Sequence, residues 1–505
     1  ATSVMGNYTF KLTFEQYSVI LVCMAFFFTF LRLHEVKVTE KRVFHIAGFI
    51  VVALGCGLFT NQIILSDFME EHQINIRMFR PMESYQKYGG VLTFARSVGY
   101  AVVKKPEGYT TAKVDQIIQE YEKKSANAQQ STAKQYPNII TVVNETFADI
   151  KVLGNFKTNE DYMPYFHSLK KNCVTGYTYA SIVGGQTANT EFELLTGNTL
   201  GFLSAGTTAF QLYIHGQMPS LVSNLKAEGY SGNKAMHPFN PYNYNRPAVY
   251  KDFGFTDFID KFDFPKNVKR VREYISDEAN VDRIISEYEK NRKKTDQPFY
   301  MYNMTIQNHS PYDKDAANFK QPIKIESSKY DAEANRYLNL IKYSDDSLKQ
   351  LTGYFEKCKE PTIILFLGDH QPRLTDEFMN KITNGQYQTW SSEQMMKRYQ
   401  VPFVIWANYD IKEQHIEKTS MNYIQSILTK TAGVKMTGYQ RFLNEVRKEV
   451  PTITSQGYWG KNGKFYQIND KGSPYYGIIQ KYRMIQYNMM FDKKNRRDSF
   501  FEVSK

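Results

Sequence analysis

Two long apolar stretches lie near the start of the chain, and both are predicted to be membrane-spanning helices. They run from Tyr17 to Leu33 and from Val43 to Leu65, and each approaches the roughly 20 apolar residues that cross a bilayer as a helix. The alternative, two buried helices of a soluble core, is less favoured because both stretches are apolar on every side. Basic residues lie between them: Arg32, Lys37, Lys41 and Arg42. Because positive charge is retained in the cytoplasm, everything after Leu65 is predicted to be extracytoplasmic.

A polar, helix-prone segment follows this membrane region of residues 1–65, and we interpret residues 66–136 as a helical linker. The pattern is clearest where Val114, Ile117, Ile118 and Tyr121 fall on one helical face. A low-complexity stretch, NAQQSTAKQ, follows that helix. The linker is therefore expected to lie along the membrane or against the domain that comes next.

From Pro137 onwards, short apolar runs rich in β-branched residues alternate with longer helical patterns. This alternation is typical of an α/β domain with a mostly parallel sheet. The four runs are Asn138–Val143, Phe299–Ile306, Thr362–Leu367 and Val401–Trp406. We assign this domain to residues 137–438. Residues 439–505 are aromatic and basic, and we interpret them as a C-terminal extension that packs against the domain or the membrane.

Three of the four runs are followed by residues capable of chemistry. Glu145 follows the first run, His309 the second, and Asp369 with His370 the third. Ligands bind at the carboxyl ends of strands in open α/β sheets, so these side chains are expected to converge. Each has an ordinary alternative as a surface loop or turn residue, but their joint position at strand ends favours a site.

The positive net charge of the chain favours a binding partner or surface that is negatively charged. The 505 residues carry a formal net charge of +12, with a pI near 9.1. A nucleic acid partner is not indicated, because no basic tract is long enough or suitably interleaved with aromatic residues. An anionic membrane surface fits the apolar stretches better. On charge alone, a basic tail is predicted to lie near anionic lipid: Lys493, Lys494, Arg496 and Arg497.

The segment Gly184–Asn198, GGQTANTEFELLTGN, combines a glycine turn with a short helix. Thr187 is predicted at or just before the helix N-terminus, where free N–H groups and the helix dipole favour an anion. A lone threonine there is usually no more than a helix cap. Glu145, Asp369 and His370 change that interpretation. They offer oxygen and nitrogen ligands to a divalent cation, which would activate a hydroxyl toward phosphorus.

Three further residues are candidates for contacting a phosphate. His309 could contact the phosphate or protonate a leaving group. His237 precedes Arg246 in one loop, and the guanidinium of Arg246 suits bidentate phosphate binding. The alternative for all three is an ordinary turn or surface loop.

Five motifs occur in a fixed order along the chain. They are NETF at Asn144–Phe147, GGQTANTEFELLTG at Gly184–Gly197, MHPFNPYNYNRPAVY at Met236–Tyr250, QNHSPY at Gln307–Tyr312 and GDHQP at Gly368–Pro372. With this set, the chain from about Tyr136 to Gly438 resembles the lipoteichoic acid synthase family within the alkaline phosphatase and sulfatase superfamily. One position departs from the family pattern, because Tyr244 precedes Asn245–Arg246 where a tryptophan is frequent.

The resemblance implies an α/β fold of the alkaline phosphatase and sulfatase type, preceded by transmembrane helices. It also implies one divalent metal, Mn²⁺ or Mg²⁺. The residues that match the family's metal ligands are Glu145, Thr187, Asp369 and His370. Those that match its headgroup-binding positions are His237, Arg246 and His309.

The resemblance further implies the reaction. Thr187 would attack phosphatidylglycerol, release diacylglycerol and carry the glycerol phosphate as a glycerophospho-threonine. A cell-envelope glycopolymer or glycolipid, such as lipoteichoic acid or a wall polysaccharide, would then accept the group. The enzyme would be a multi-pass protein of the cell membrane with an extracellular catalytic domain.

Other functions within the superfamily compete with this one. Sulfatase activity is disfavoured, because no C-x-P-x-R motif is present to supply formylglycine. A phosphoethanolamine transferase shares the threonine nucleophile but is usually richer in histidine, and this chain has 9. A phosphodiesterase differs only in what attacks in the second step. An inactive membrane-anchored binding protein would be expected to have lost some of the metal ligands, all of which are present.

Overall fold

The computed structural model describes residues 42–65, 81–100, 102–125, 135–326 and 331–503, with a few isolated positions between 21 and 29. The chain divides into two compact units, Ala1–Val102 and Val103–Lys505. The helices of the first unit are α1 (Arg42–Phe59), continued by a π-helical turn at Thr60–Leu65, α2 (Pro81–Tyr88) and α3 (Gly90–Tyr100).

One helix within the described residues is long and apolar enough to cross a membrane. It spans Ile46–Ile63 with a mean hydropathy of 1.8, and it exposes large apolar side chains such as Phe49 and Val51. This segment lies within the predicted span Val43–Leu65. The other predicted span, Tyr17–Leu33, falls outside the described residues apart from isolated positions, so a second spanning helix stays a prediction.

The second unit alternates strands and helices, as its hydrophobic pattern predicts. Its helices are α4 (Thr111–Ser125), α5 (Pro164–Ser168), α6 (Thr187–Thr196), α7 (Ala209–Leu212), α8 (Leu221–Ala227), α9 (Arg246–Phe253), α10 (Asp277–Arg292), α11 (Ala332–Phe355), α12 (Asp376–Ile382), α13 (Ser392–Met395), α14 (Met421–Thr431), α15 (Gly438–Glu449), α16 (Tyr476–Met490) and α17 (Asp498–Phe501). Its strands are β1 (Asn138–Asn144), β2 (Cys173–Tyr179), β3 (Ser231–His237), β4 (Asp257–Asp260), β5 (Arg270–Val271), β6 (Tyr274–Ile275), β7 (Phe299–Met304), β8 (Thr362–Gly368), β9 (Gln400–Ala407), β10 (Gln414–Ser420), β11 (Thr452–Thr454), β12 (Gly457–Trp459) and β13 (Phe465–Tyr466).

The main sheet has eight strands in the order β10-β2-β9-β8-β1-β7-β3-β4. All run parallel except β9, which is antiparallel to both β2 and β8. The prediction of a mostly parallel α/β sheet is therefore confirmed. Helices cover both faces, because successive β1 residues alternate between two cores: Ile139 belongs to one hydrophobic cluster and Ile140 to the other.

Two neighbouring strands end level with each other at the centre of this sheet. The register of β1 and β8 pairs Asn144 with Gly368, so the loops that follow them start side by side. Gly368 makes their close approach possible, because a Cβ there would lie 1.8 Å from the carbonyl oxygen of Phe147. A side chain at Gly368 would therefore force the two loops apart.

The C-terminal segment packs on the same unit and holds helix α6. Tyr439 and Tyr482 both donate hydrogen bonds to the carbonyl of Gly197, at 2.9 and 2.5 Å. Gln486 on α16 accepts the N–H of Thr199 at 2.8 Å and donates to its carbonyl at 2.9 Å. The end of α6 is thus fixed by residues more than 200 positions later in the chain.

The basic tail that charge alone assigned to anionic lipid is largely used within the fold. Arg497 binds both carboxylate oxygens of Asp115 on α4, at 2.6 and 2.8 Å. Arg496 pairs with Asp498, and the ammonium of Lys493 donates to the carbonyl of His215. Three of the four cations therefore make contacts within the fold, and the position of this tail near anionic lipid stays a prediction.

Candidate active site

Glu145, Asp369 and His370 lie together at the carboxyl ends of β1 and β8. All three are buried, and one ligand atom from each lies within 4.8 Å of the others. The backbone N–H of Glu145 donates to Thr305 Oγ1, just beyond β7, at 2.9 Å. Three adjacent strands therefore position this acidic–histidine cluster, as the strand-end residues predicted.

Hydrogen bonds leave two ligand atoms of the cluster without partners. Asp369 Oδ1 accepts the N–H groups of Thr146 and His370, at 2.7 and 2.8 Å. His370 Nδ1 donates to the carbonyl of Gln371 at 3.0 Å, so Nε2 keeps its lone pair in the neutral ring. Asp369 Oδ2 and His370 Nε2 are buried and lie 3.2 Å apart, and neither has a hydrogen-bond partner among the described residues. In the neutral ring both atoms are acceptors that face each other, and a cation bound between them would satisfy both.

The electrostatics of the cluster also fit a cation. Burial, and after it the Asp369 carboxylate, raises the pKa of Glu145 to about 8. A bound divalent ion would remove that repulsion, because it favours the charged form of both carboxylates. Carboxylate oxygens, one imidazole and a hydroxyl form a mostly oxygen donor set, which suits Mn²⁺ or Mg²⁺.

Thr187 is the first residue of α6 and is buried. The preceding residues Gly184 and Gln186 both have φ of 67°, and the left-handed conformation of Gln186 turns the chain sharply into the helix. Gln186 makes no side-chain capping hydrogen bond, so the helix N-terminus keeps N–H groups for a ligand. Thr187 therefore lies within the helix and is not its N-cap.

Two hydrogen bonds on either side of Thr187 join its segment to the loop of the acidic–histidine cluster. Thr190 Oγ1, one turn later, donates to the carbonyl of Asp369 at 2.8 Å. The N–H of Gly184, three residues earlier, donates to the carbonyl of Gln371 at 3.0 Å. The Thr187 hydroxyl is thus presented from a helix that is bonded on both sides of it to the loop that carries Asp369 and His370.

His237 and His309 lie at the ends of β3 and β7, on the opposite side of β1 from Asp369 and His370, and both imidazoles are expected to be neutral. His237 ends β3, and its Nδ1 donates to the carbonyl of Met304 at 3.0 Å. His309 Nδ1 lies 2.7 Å from the carbonyl of Ser310. Burial lowers the pKa of both imidazoles, and the charge of Arg246 adds to the effect at His237. With Nδ1–H bound to a carbonyl, each Nε2 is a hydrogen-bond acceptor. The ring of Phe239 packs between them, 6.1 and 6.3 Å from the two imidazole centroids.

Arg246 is buried and bound to Glu191, a contact that the sequence reasoning missed. Its Nε and Nη2 donate to Glu191 Oε1 at 3.0 and 2.8 Å. Tyr250 and Tyr302 donate to the other oxygen of Glu191. Although burial acts to lower it, the Glu191 carboxylate holds the pKa of Arg246 above its usual value. Glu191 occupies both Nε and Nη2, so bidentate phosphate binding through these two atoms would require Glu191 to move.

Arg272 is a second residue that the sequence reasoning missed. It sits in the turn between β5 and β6 with φ of 55° and is buried. Its Nη2 donates to the carbonyls of Gln307 and His309 at 2.8 and 2.7 Å, and its Nη1 donates to that of Pro311 at 2.6 Å. One guanidinium therefore holds three carbonyls of the loop that carries His309.

Replacing Arg272 with lysine is expected to release this loop. An ammonium cannot reach three divergent carbonyls, so the free energy of unfolding should fall by about 3 kcal/mol. Urea unfolding measures this effect. Arg270→Lys, at an exposed neighbouring position, is the control for stability and should change it by less than about 0.5 kcal/mol. An Arg272→Lys protein as stable as wild type would contradict the clamp.

A parallel sheet with a helix-borne hydroxyl facing a carboxylate–histidine cluster is the arrangement of the alkaline phosphatase and sulfatase superfamily. The sulfatase family profile matches residues 137–434, which is more than half of the chain. The chain therefore belongs to the sulfatase family.

Two curated relatives show which individual proteins the chain is similar to. The "putative cyclic beta-1,2-glucan modification protein" of Rhizobium meliloti is 31% identical over 433 residues, which are 84% of this chain and 65% of that protein. A lipoteichoic acid synthase of Staphylococcus saprophyticus is 24% identical over 71% of this chain and 55% of its own length. The chain therefore spans less than two thirds of these curated relatives.

Solved structures share the fold. The Streptococcus pyogenes phosphoglycerol transferase GacH, in complex with sn-glycerol-1-phosphate, superposes with a TM-score of 0.64 at 21% identity. It covers 80% of this chain and 100% of that structure. The lipoteichoic acid synthase LtaP of Listeria monocytogenes gives a TM-score of 0.54 at 19% identity, over 75% and 98% of the two chains. At these identities the superpositions establish the fold alone.

Proposed function

We propose that this chain transfers glycerol phosphate from phosphatidylglycerol to a cell-envelope glycan, through a glycerophospho-threonine at Thr187. The observation that carries the proposal is the buried Thr187 at an uncapped helix N-terminus, bonded on both sides to the loop of Asp369 and His370. The names of the relatives support the donor and acceptor classes, since they include lipoteichoic acid synthases, a phosphoglycerol transferase and a glucan modification protein.

Glu145, Thr187, Asp369 and His370 are the residues that would hold the divalent metal. When bound, the metal would lower the pKa of the Thr187 hydroxyl and offset negative charge on the phosphate. The dipole and free N–H groups of α6 add to that stabilisation at the same place. Glu145, Asp369 and His370 already lie close together. Hydrogen bonds fix the side chains of Asp369 and His370, so no large movement is needed to bind the metal.

The reaction has two balanced steps at phosphorus. In the first, the Thr187 hydroxyl loses its proton and its oxygen forms a bond to phosphorus, while the bond to the diacylglycerol oxygen breaks and that oxygen takes up a proton. In the second, an acceptor hydroxyl forms a bond to phosphorus, the bond to Thr187 breaks, and the acceptor proton is lost as the threonine hydroxyl is restored. Both steps use the same residues in opposite directions.

The headgroup residues have distinct roles in this proposal. The guanidinium of Arg246 would stabilise the negative charge of the phosphate, while Glu191 keeps it in one orientation. His237 and His309 are neutral, and their free Nε2 atoms can accept hydrogen bonds from the two hydroxyls of glycerol. Their lowered pKa values make both residues poor proton donors at neutral pH, so the leaving-group proton is better supplied by water than by His309.

The proposed location is the outer face of the cell membrane. The helix Ile46–Ile63 and the basic residues before it support an anchor that leaves residues after Leu65 outside. A phosphatidylglycerol headgroup is available only at a membrane surface, so an anchored enzyme would meet its donor at high local concentration.

The experiment that tests the proposal measures both half-reactions with the purified protein. Headgroup-labelled phosphatidylglycerol in vesicles is supplied with Mn²⁺, with or without cyclic β-1,2-glucan. We expect metal-dependent release of diacylglycerol, and transfer of label to the glucan when it is present. Release of free glycerol phosphate in both cases would mean a phosphodiesterase. Turnover of phosphatidylethanolamine but not phosphatidylglycerol would mean a phosphoethanolamine transferase. No turnover of either lipid, with the metal bound, would favour a binding role.

A further inference from the structure

A cleft of about 530 Å³ lies beside Phe239, whose ring packs between His237 and His309. We call it the hairpin cleft, because the β5–β6 hairpin and the turn after β4 form its sides. Aromatic and charged side chains line it, including Phe239, Phe262, Tyr274, Lys261, Lys266 and Glu273. None of these residues has a role in the metal cluster or in nucleophilic attack.

The hairpin cleft is continuous with the site at His309. Phe239 lines the cleft and also stacks on the His309 ring, with an interplanar angle of 22°. Tyr274 lines the cleft too, and its ring centroid lies 5.8 Å from that of His309. A molecule in the cleft would therefore reach His309 across the side chains of Phe239 and Tyr274, which line the cleft and also contact His309.

Phe262 is presented to solvent on a fixed turn. It is 74% exposed, and with Tyr242 it is one of the two most exposed large hydrophobic side chains in the described part of residues 103–503. Asp260 caps this turn: its carboxylate accepts the N–H of Phe262 at 2.7 Å, and Asp263 accepts the N–H of Asp260 at 2.8 Å. An exposed aromatic ring on a rigid turn costs solvation free energy unless a ligand covers it.

The charges around Phe262 are mixed in sign. Lys261 Nζ lies 4.9 Å from the Phe262 ring centroid and 5.9 Å from that of Phe239. Lys266, Arg270 and Glu273 line the same cleft, while Asp260 and Asp263 lie on either side of Phe262 in the sequence. Cations and carboxylates together suit the hydroxyls of a sugar, each of which both donates and accepts hydrogen bonds.

We propose that the hairpin cleft binds the acceptor as a glycan, with a sugar ring packed on Phe262 and its hydroxyls bonded to the surrounding charged groups. Aromatic rings provide a flat apolar surface for the C–H face of a sugar, and ammonium and carboxylate groups donate to and accept from its hydroxyls. Such a position directs an acceptor hydroxyl along Phe239 and Tyr274 toward His309. This inference rests on the proposed function, since it concerns the second half-reaction.

The test separates the donor step from the acceptor step. Phe262→Ala is compared with Phe262→Tyr, which keeps the aromatic ring, in the vesicle assay with cyclic β-1,2-glucan as the probe. We expect Phe262→Ala to raise the KM for glucan about tenfold, which corresponds to the loss of about 1.4 kcal/mol. Diacylglycerol release without glucan should equal that of wild type in both variants. Phe262→Tyr should keep a KM for glucan close to that of wild type.

The outcomes distinguish this inference from the proposed function. An unchanged KM for glucan in Phe262→Ala, with wild-type transfer intact, overturns the inference alone. Reduced diacylglycerol release and weaker vesicle binding in Phe262→Ala would instead mean that this turn contacts the membrane, which also overturns it. Wild-type release of diacylglycerol without any transfer to glucan would refute the glycan acceptor itself, and the inference with it.

Discussion

Replacing Thr187 with alanine is expected to lower diacylglycerol release by on the order of 10³-fold or more, because the variant has no atom to bond to phosphorus. The methyl group of alanine keeps the helix start intact, since the hydrogen bonds at Gly184 and Thr190 involve other residues. Release of diacylglycerol from labelled phosphatidylglycerol measures the effect directly. Intact-protein mass spectrometry of wild type, quenched without an acceptor, should detect one added glycerol phosphate.

The control for this prediction is Thr187→Ser, which restores a hydroxyl at the same position. It should recover part of the activity and the added mass, while the alanine variant shows neither. Melting temperatures of the three proteins should agree closely, because the hydrogen bonds of Gly184 and Thr190 that position the start of α6 are kept in all of them. Equal turnover by Thr187→Ala and wild type would exclude the covalent route.

Replacing Asp369 with asparagine is expected to abolish most metal binding while the fold is kept. The asparagine carbonyl can still accept the N–H groups of Thr146 and His370, but the site loses a charged ligand. Wild-type protein should gain about 2.7 kcal/mol of stability at a Mn²⁺ concentration of 100 times Kd. The variant should gain almost none at the same concentration. Thermal unfolding with and without Mn²⁺ reads this out independently of activity.

A buried carboxylate outside the cluster provides the matched control. Asp345 accepts the N–H groups of Tyr165 and Phe166 at 2.9 and 2.7 Å, and it is not a member of the acidic–histidine cluster. Asp345→Asn should alter the melting temperature of the metal-free protein but leave the increment produced by Mn²⁺ unchanged. Loss of that increment in both variants would mean that the stabilisation is not specific to the cluster.

The sequence predicted the centre of the site well because strand ends are a local signal. A buried β-branched run identifies each strand, and the polar residue after it must lie at the carboxyl edge of a parallel sheet. Glu145, Asp369 and His370 could therefore be grouped from hydrophobic pattern alone. The direction of β9 could not be predicted this way, since its apolar run reads the same in either direction.

Other parts of the site depend on contacts that leave no local pattern. Glu191 falls within the same short helix as Thr187, and only the fold reveals that it binds Arg246. Arg272 resembles a surface cation in sequence, yet it is buried against three backbone carbonyls. The partner of Arg497 in the basic tail could not be predicted for the same reason, because Asp115 lies 382 residues away along the chain.

The strand order places the residues of the site in a row along one edge of the main sheet. Strands β8, β1, β7 and β3 are adjacent, with neighbours about 4.8 Å apart, and their ends supply in turn Asp369, Glu145, His309 and His237. In the proposed function, the bond to phosphorus is made at the β8–β1 end of this row and the headgroup is bound at the β7–β3 end. The two ends are coupled, because Thr305, which follows β7, accepts the N–H of Glu145. A substitution in the loop after β7 is therefore expected to shift a carboxylate at the other end, whereas the loop after β3 lies two strands away from that carboxylate.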